Sequence, residues 1–325
     1  MTHSLALRTA EAVADLLADP ATAPIGPDDA SLHRQHLAYG PTGIALLHIE
    51  RAAAGLGPWK RAHDWFAAAA RQPFTSGPDS HPFYGAPALA HAVACAADHL
   101  PGAYERARDS LNQRMSADVR RRLEAAHRRI DAGRLPELAE FDAIRGLVGY
   151  GVYFLRRDTT GADVRAILSY CVRLTEPVTY DGGAWPGWWT PSGPSGRPDE
   201  RFPGGHANNG MAHGIGGVLA LLALAARRGV TVDCQREAAY TILAWLDRWG
   251  RRPAGARRGP TGLRETSCTP AAPIRLRHAD RHGATERPVW PAPGSLPPSP
   301  SATSNASSTR RTRLCPPSRI ASSSR

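Results

Sequence analysis

A glycine-centred turn that leads straight into a strongly apolar helix occurs four times, and it limits what this chain can fold into more than any other feature. The copies are YGPTGIALL from Tyr39, YGAPALAHAV from Tyr84, RGLVGYGVYF from Arg145 and HGIGGVLALL from His213. Three keep a Gly-x-x-Gly frame, at Gly40/Gly43, Gly146/Gly149 and Gly214/Gly217, and the second keeps only Gly85. Glycine permits backbone conformations barred to other residues and close approach of a helix start to its neighbours. A helix apolar nearly all round has no face for water and must be buried. The spacings of 45, 61 and 68 residues leave room between copies for one amphipathic helix and its loops. Buried helices alternating with amphipathic ones predict an all-α fold, an α/α toroid with an inner ring inside an outer one. The glycine turns then gather at one end, where helix N-termini present free N–H groups.

Helical periodicity runs from residue 4 to 249. Leu5, Ala12, Leu16 and Leu17 share a face, and Ile44, Leu46 and Leu47 open a second helix. Further helices are predicted over 59–71, 89–99, 104–130, 147–155, 163–174, 218–226 and 234–249. No stretch alternates with period two, so no strands are expected. Cys95, Cys171 and Cys234 read as small buried residues within helices.

Composition divides the chain near residue 250. Residues 1–250 carry 26 basic and 26 acidic side chains, whereas 251–325 carry 14 arginines against Glu265, Asp280 and Glu286. The net charge of +11 therefore belongs wholly to the last 75 residues, which also hold 12 prolines and 11 serines. Such a segment buries too little apolar surface to offset its ordering entropy, and a disordered tail is expected. With the body balanced, the charge does not argue for nucleic acid. No apolar run approaches the roughly 18–20 residues a membrane span needs, and Glu11 and Asp15 interrupt any signal-peptide core. The five cysteines are scattered with no CxxC spacing. A cytoplasmic chain is expected.

Two of the four turns carry ionisable groups: Phe141-Asp142-Ala143-Ile144-Arg145-Gly146, and the stretch from His206 to Gly217. Asp142 and His213 each sit just before an inner helix, so the toroid brings them to one rim. Histidine is suited to proton transfer near neutral pH, and a carboxylate can orient it. Alone, Asp142 is more often a helix cap and His213 more often a structural histidine; their placement in equivalent turns of one repeat shifts the reading toward a site. A glycosidase-type toroid would need paired acids, and Asp142 has no carboxylate partner among the turns.

FDAIRGLVGYGVYFL, NNGMAHGIGGVLALLA, LAYGPTGIALLH and the aromatic DGGAWPGWW from Asp181 together resemble the lanthionine synthetase C-like cyclases over roughly residues 5–250. The chain looks like the stand-alone form. The resemblance implies a seven-fold toroid that adds peptide cysteine thiols to dehydroalanine or dehydrobutyrine, forming thioether rings in a ribosomally made peptide. Its implied partners are a dehydrated precursor peptide and a lantibiotic dehydratase. By that resemblance His213 is the active-site histidine and Asp142 its partner. Arg145, His206, Trp185, Trp188 and Trp189 are then the expected substrate-binding residues.

The resemblance also implies one zinc ion held by two cysteines and a histidine, in a Cys-Tyr-Gly and a Cys-His-Gly turn. This chain has neither turn. Cys268 lies in SCTPA and Cys315 in LCPPS, while His278 and His282 sit in an arginine-rich stretch. No metal ligands, no bound cofactor and no ring-closing activity are expected of the chain as written, which leaves a non-catalytic peptide- or partner-binding toroid fragment as the alternative. The tail supplies a reason. One lysine against 39 arginines marks a GC-rich gene. In such codons, residues 283–291 read from the third base of the Gly283 codon can encode CYGTPGLA, the missing turn. In the same frame 306–314 can encode QQHAEDAL, an amphipathic segment. Residues 251–325 therefore read as out-of-frame translation.

Overall fold

A computed structural model of the chain describes residues 2–24, 35–71, 73–157 and 161–250. The chain divides into two units, Met1–Pro273 and Ile274–Arg325, of which the second lies wholly outside the described residues. The expectation of a disordered tail over 251–325 falls there too. The described part is mainly helical: α1 (Thr2–Leu16), α2 (Pro41–Ala53), α3 (Trp59–Ala69), α4 (Ala86–His99), α5 (Glu105–Asp131), α6 (Leu138–Phe141), α7 (Leu147–Arg157), α8 (Ala162–Arg173), α9 (Ile215–Arg227) and α10 (Gln235–Gly250).

The helix contacts sort these elements into two layers. Helices α2, α4, α7 and α9, the four that follow the glycine turns, touch in that order and form the inner layer. Each packs against the helix that follows it, α3, α5, α8 or α10, and α5, α8 and α10 touch in sequence outside them. This is the alternation that the apolar runs predict.

Side-chain size and spacing explain the layers. Inner helix α4 buries Ala86, Ala88, Ala90, Ala92, Val93, Ala94 and Ala96, residues small enough for neighbours on every side to approach. Outer helix α5 is strongly polar yet buries Leu111, Met115, Val119, Leu123 and Ala126, a stripe at helical spacing turned toward the core. Helix α1 keeps Leu5, Leu7 and Leu16 exposed. Its following turn is tied down where the Leu17 carbonyl accepts from Trp65 Nε1 at 2.8 Å and contacts His48 Nε2 at 2.7 Å.

The Gly-x-x-Gly frame has one physical cause in all three copies. A Cβ on the second glycine would collide with the carbonyl oxygen six residues earlier: Leu37 for Gly43, Ala143 for Gly149 and Met211 for Gly217. The first glycine's carbonyl accepts the second's N–H, from Gly43 to Gly40 at 3.0 Å, Gly149 to Gly146 at 3.2 Å and Gly217 to Gly214 at 3.1 Å. The turn thus folds back over the start of its own helix. Gly85, alone in its copy, adopts φ 76°, and its Cβ would strike the Thr75 carbonyl.

Three features depart from the expectations. A two-stranded antiparallel hairpin is present, β1 (Val178–Tyr180) with β2 (Gly183–Trp185). Its turn residues Asp181 and Gly182 have φ 48° and 71°, the positive pair that a two-residue hairpin turn requires. Strands of three residues are too short to alternate visibly, but Asp-Gly was the readable signal. Helix α6 is a single turn with no periodicity to find. Cys234 is half-buried with φ 60° and stands ahead of α10 rather than within it.

Gly149→Ala is expected to destabilise the protein by about 1–3 kcal/mol, because its Cβ would also meet Pro82 Cγ at 2.6 Å. Gly57→Ala, with nothing within 4 Å, should stay within about 0.5 kcal/mol. Denaturant midpoints of the two variants check this.

Candidate active site

The site is built outward from the Asp142 carboxylate. Helix α6 ends on Asp142, whose N–H donates to the Leu138 carbonyl at 3.0 Å. The helix is held from behind by Glu140, which receives Arg129 Nε and Nη2 at 2.9 and 2.7 Å and the Tyr170 hydroxyl at 2.8 Å. Asp142 itself is 2% exposed. Its Oδ1 accepts the backbone N–H groups of Ile144, Arg145 and Gly146 at 3.1, 2.6 and 2.8 Å. Those donors lie in the turn that leads into α7 and would otherwise lack these partners.

The other carboxylate oxygen, Oδ2, lies 2.7 Å from His213 Nδ1. A carboxylate only accepts, so Nδ1 carries the proton and Nε2 offers its lone pair. His213 is 46% exposed beside its buried partner, so that lone pair sits on an imidazole open to solvent. The two turns are also joined through the main chain, where Ala143 N–H donates to the Ala212 carbonyl at 2.9 Å. Asn208 organises the His213 loop: its Oδ1 accepts Gly210 N–H at 2.8 Å and its carbonyl accepts Ile215 N–H at 2.9 Å. Trp245 of α10 donates Nε1 to Asn209 Oδ1 at 2.9 Å and fixes the loop from outside. The structure therefore brings His213 and Asp142 together, and Arg145 lies exposed on the same turn.

The remaining expected residues fall elsewhere. His206 is 2% exposed, its Nδ1 is 2.8 Å from the Ser192 carbonyl and its main chain pairs with Thr190. It braces a buried loop. Trp188 and Trp189 are 2% and 1% exposed; the first stacks edge-on against Trp245 and the second donates Nε1 to the Gly204 carbonyl. Both pack inward. Trp185 stays half-buried, its ring 4.5 Å from that of Trp189.

Two histidines absent from the expectations stand in the first two turns. His36 and His81 each lie four residues before the turn's first glycine, as Asp142 does before Gly146. The repeated His-x-x-Tyr-Gly, HLAYG and HPFYG, was the legible signal. Their rings lie 6.1 Å apart, and the turns are stitched by Leu37 N–H to the Phe83 carbonyl and Gly85 N–H to the Gln35 carbonyl. The loop before His81 is clamped by Arg122, whose Nη2 donates to the Ser80 carbonyl at 2.6 Å and to that of Pro78 at 3.2 Å. Buried Asp118 holds Arg122 Nε at 3.1 Å and the Tyr150 hydroxyl at 2.6 Å.

Among the described residues no three His, Cys, Asp or Glu side chains gather as metal ligands. Burial pushes the Cys171 thiol up to about 12 and raises that of Cys95, opposite to the thiolate that a metal needs. The Cys95 sulfur instead accepts Arg156 Nη1 at 3.3 Å. These residues do not fit a zinc ion.

The profile of the family described as lanthionine synthetase C-like protein matches residues 31–254. The chain belongs to that family. Among solved structures it is similar to nisin cyclase, with 20% identity and a TM-score of 0.57 over 76% of this chain. The match spans 58% of nisin cyclase's length and shows the shared all-α fold. No curated protein matches the chain. Among the described residues no helix is long and apolar enough to cross a membrane.

Burial, foremost, and then the neighbouring Arg145 lower the pKa of His81 from 6.5 to about 4. An unfolded chain then binds more protons than the folded one between those values, so stability should fall as pH drops from about 6.5 to about 4. Burial of His48, His91 and His127 acts in the same direction. His81→Asn should flatten the slope of unfolding free energy against pH in that window.

Proposed function

We propose that this chain is a cytoplasmic, lanthionine-cyclase-type unit that binds a dehydrated precursor peptide and carries the proton-transfer half of a thioether-forming site. The observation that carries the reading is the 2.7 Å contact between His213 Nδ1 and buried Asp142, in a chain that belongs to the lanthionine synthetase C-like family. Adding a thiol across the double bond of dehydroalanine or dehydrobutyrine puts charge on the adjacent carbonyl and requires a proton at Cα. An imidazole with Nδ1–H fixed on a carboxylate takes a proton at Nε2, is stabilised as imidazolium, and returns that proton to carbon. Arg145, on the Asp142 turn, and half-buried Trp185 of the hairpin are the substrate-facing residues of this reading, and a dehydratase would supply the peptide.

In this family a zinc ion supplies the thiolate. The sequence contains neither a Cys-Tyr-Gly nor a Cys-His-Gly turn, and in this reading the chain as written binds peptide and does not close rings. Reading residues 251–325 as out-of-frame translation accounts for the loss.

A dehydrated, cysteine-containing peptide should bind saturably, with ring closure no faster than its spontaneous rate in added zinc. The purified protein should hold far less than the roughly one zinc per chain of an intact site. In the coding DNA, the shifted frame beyond codon 250 should encode Cys-Tyr-Gly and then Cys-His-Gly. Zinc-dependent ring closure with stoichiometric metal would overturn this reading.

A further inference from the structure

His36, His81 and Asp142 occupy one structural position in three successive turns. Each side chain accepts the N–H of the residue two places on: Ala38 to His36 Nδ1 at 3.0 Å, Phe83 to His81 Nδ1 at 3.3 Å, and Ile144 to Asp142 Oδ1 at 3.1 Å. A backbone N–H can only donate, so Nδ1 is the acceptor and the neutral His81 ring carries its proton on Nε2. His213 is held in the opposite tautomer by Asp142. One turn end therefore offers an N–H donor and the other a basic nitrogen.

The surroundings keep His81 in that state. The charged and titratable groups that act on its ring are Arg145, His36, Arg122 and Asp142, and the Tyr84 ring lies 5.7 Å away. Burial and the two arginines disfavour a second proton, so the ring is a neutral donor at neutral pH. The Arg122 clamp and Asp118 fix its loop, and Pro82 lies against Gly149 at the start of α7, joining the His81 turn to the Asp142 turn. His81 is only partly buried.

We propose that His81 is a second substrate-touching residue of this site, its Nε2–H donating to an amide oxygen of a peptide whose reacting carbon lies over His213. That oxygen gains negative charge as a thiol adds, and a fixed neutral donor stabilises it without reorganising. The inference rests on the peptide-binding reading above.

The probe is a short synthetic peptide containing one dehydroalanine, titrated into the full chain with ¹⁵N-labelled histidine. His81 should carry its proton on Nε2, and that nitrogen's resonance should move on saturation. His81→Asn keeps a side-chain acceptor for Phe83 N–H, as Asn208 does for Gly210, and removes the reach of the imidazole; the peptide should bind about tenfold more weakly. Unchanged affinity in that variant, or a proton on Nδ1, overturns the proposal while peptide binding stands. No binding by the wild-type chain overturns both. If the variant does not fold, the wild-type resonance decides: a shift on saturation supports the proposal and a static one overturns it.

Discussion

Everything at this site depends on the Asp142 carboxylate serving two partners at once. One oxygen holds the N–H groups of the turn that leads into α7 and the other orients His213, contributed from a turn 71 residues later. Those tasks reinforce each other. The backbone donors fix the carboxylate's plane, and a fixed, buried carboxylate selects one imidazole tautomer. Arg129 and Glu140 extend the arrangement into the core, so the proton-handling pair rests on a hydrogen-bonded path into α5 and α8 rather than on a loop alone.

The repeat makes that juxtaposition possible. Each turn can lie over its own helix only because its second glycine lacks a Cβ, and the same clash six residues back recurs at Gly43, Gly149 and Gly217. With the turns built alike, a given offset before the glycine always arrives at the same level of the rim. Histidine at that offset in two turns and aspartate in the third give one scaffold different acid–base characters. The outer helices support this through Trp245 on the His213 loop and Arg122 on the His81 loop.

Much of this was legible in the residues. Apolar runs after glycine turns identified the inner helices, and their placement before equivalent turns paired Asp142 with His213. What escaped was set by contacts between residues separated in sequence. His206, Trp188 and Trp189 lie in a loop whose burial depends on α10 and on the Thr190–His206 pairing, neither of which leaves a periodic trace. Helix α6 exists because Arg129 holds Glu140, a tertiary cause. The histidines of HLAYG and HPFYG are visible in the sequence, three residues ahead of the tyrosine that opens each of those two copies.

The most direct test of the account is the protonation pattern of His213 in the wild-type protein, read from imidazole ¹⁵N resonances at neutral pH. The account predicts one stable tautomer with the proton on Nδ1, hydrogen-bonded to Asp142. A proton on Nε2, or a freely exchanging mixture of tautomers, would contradict it.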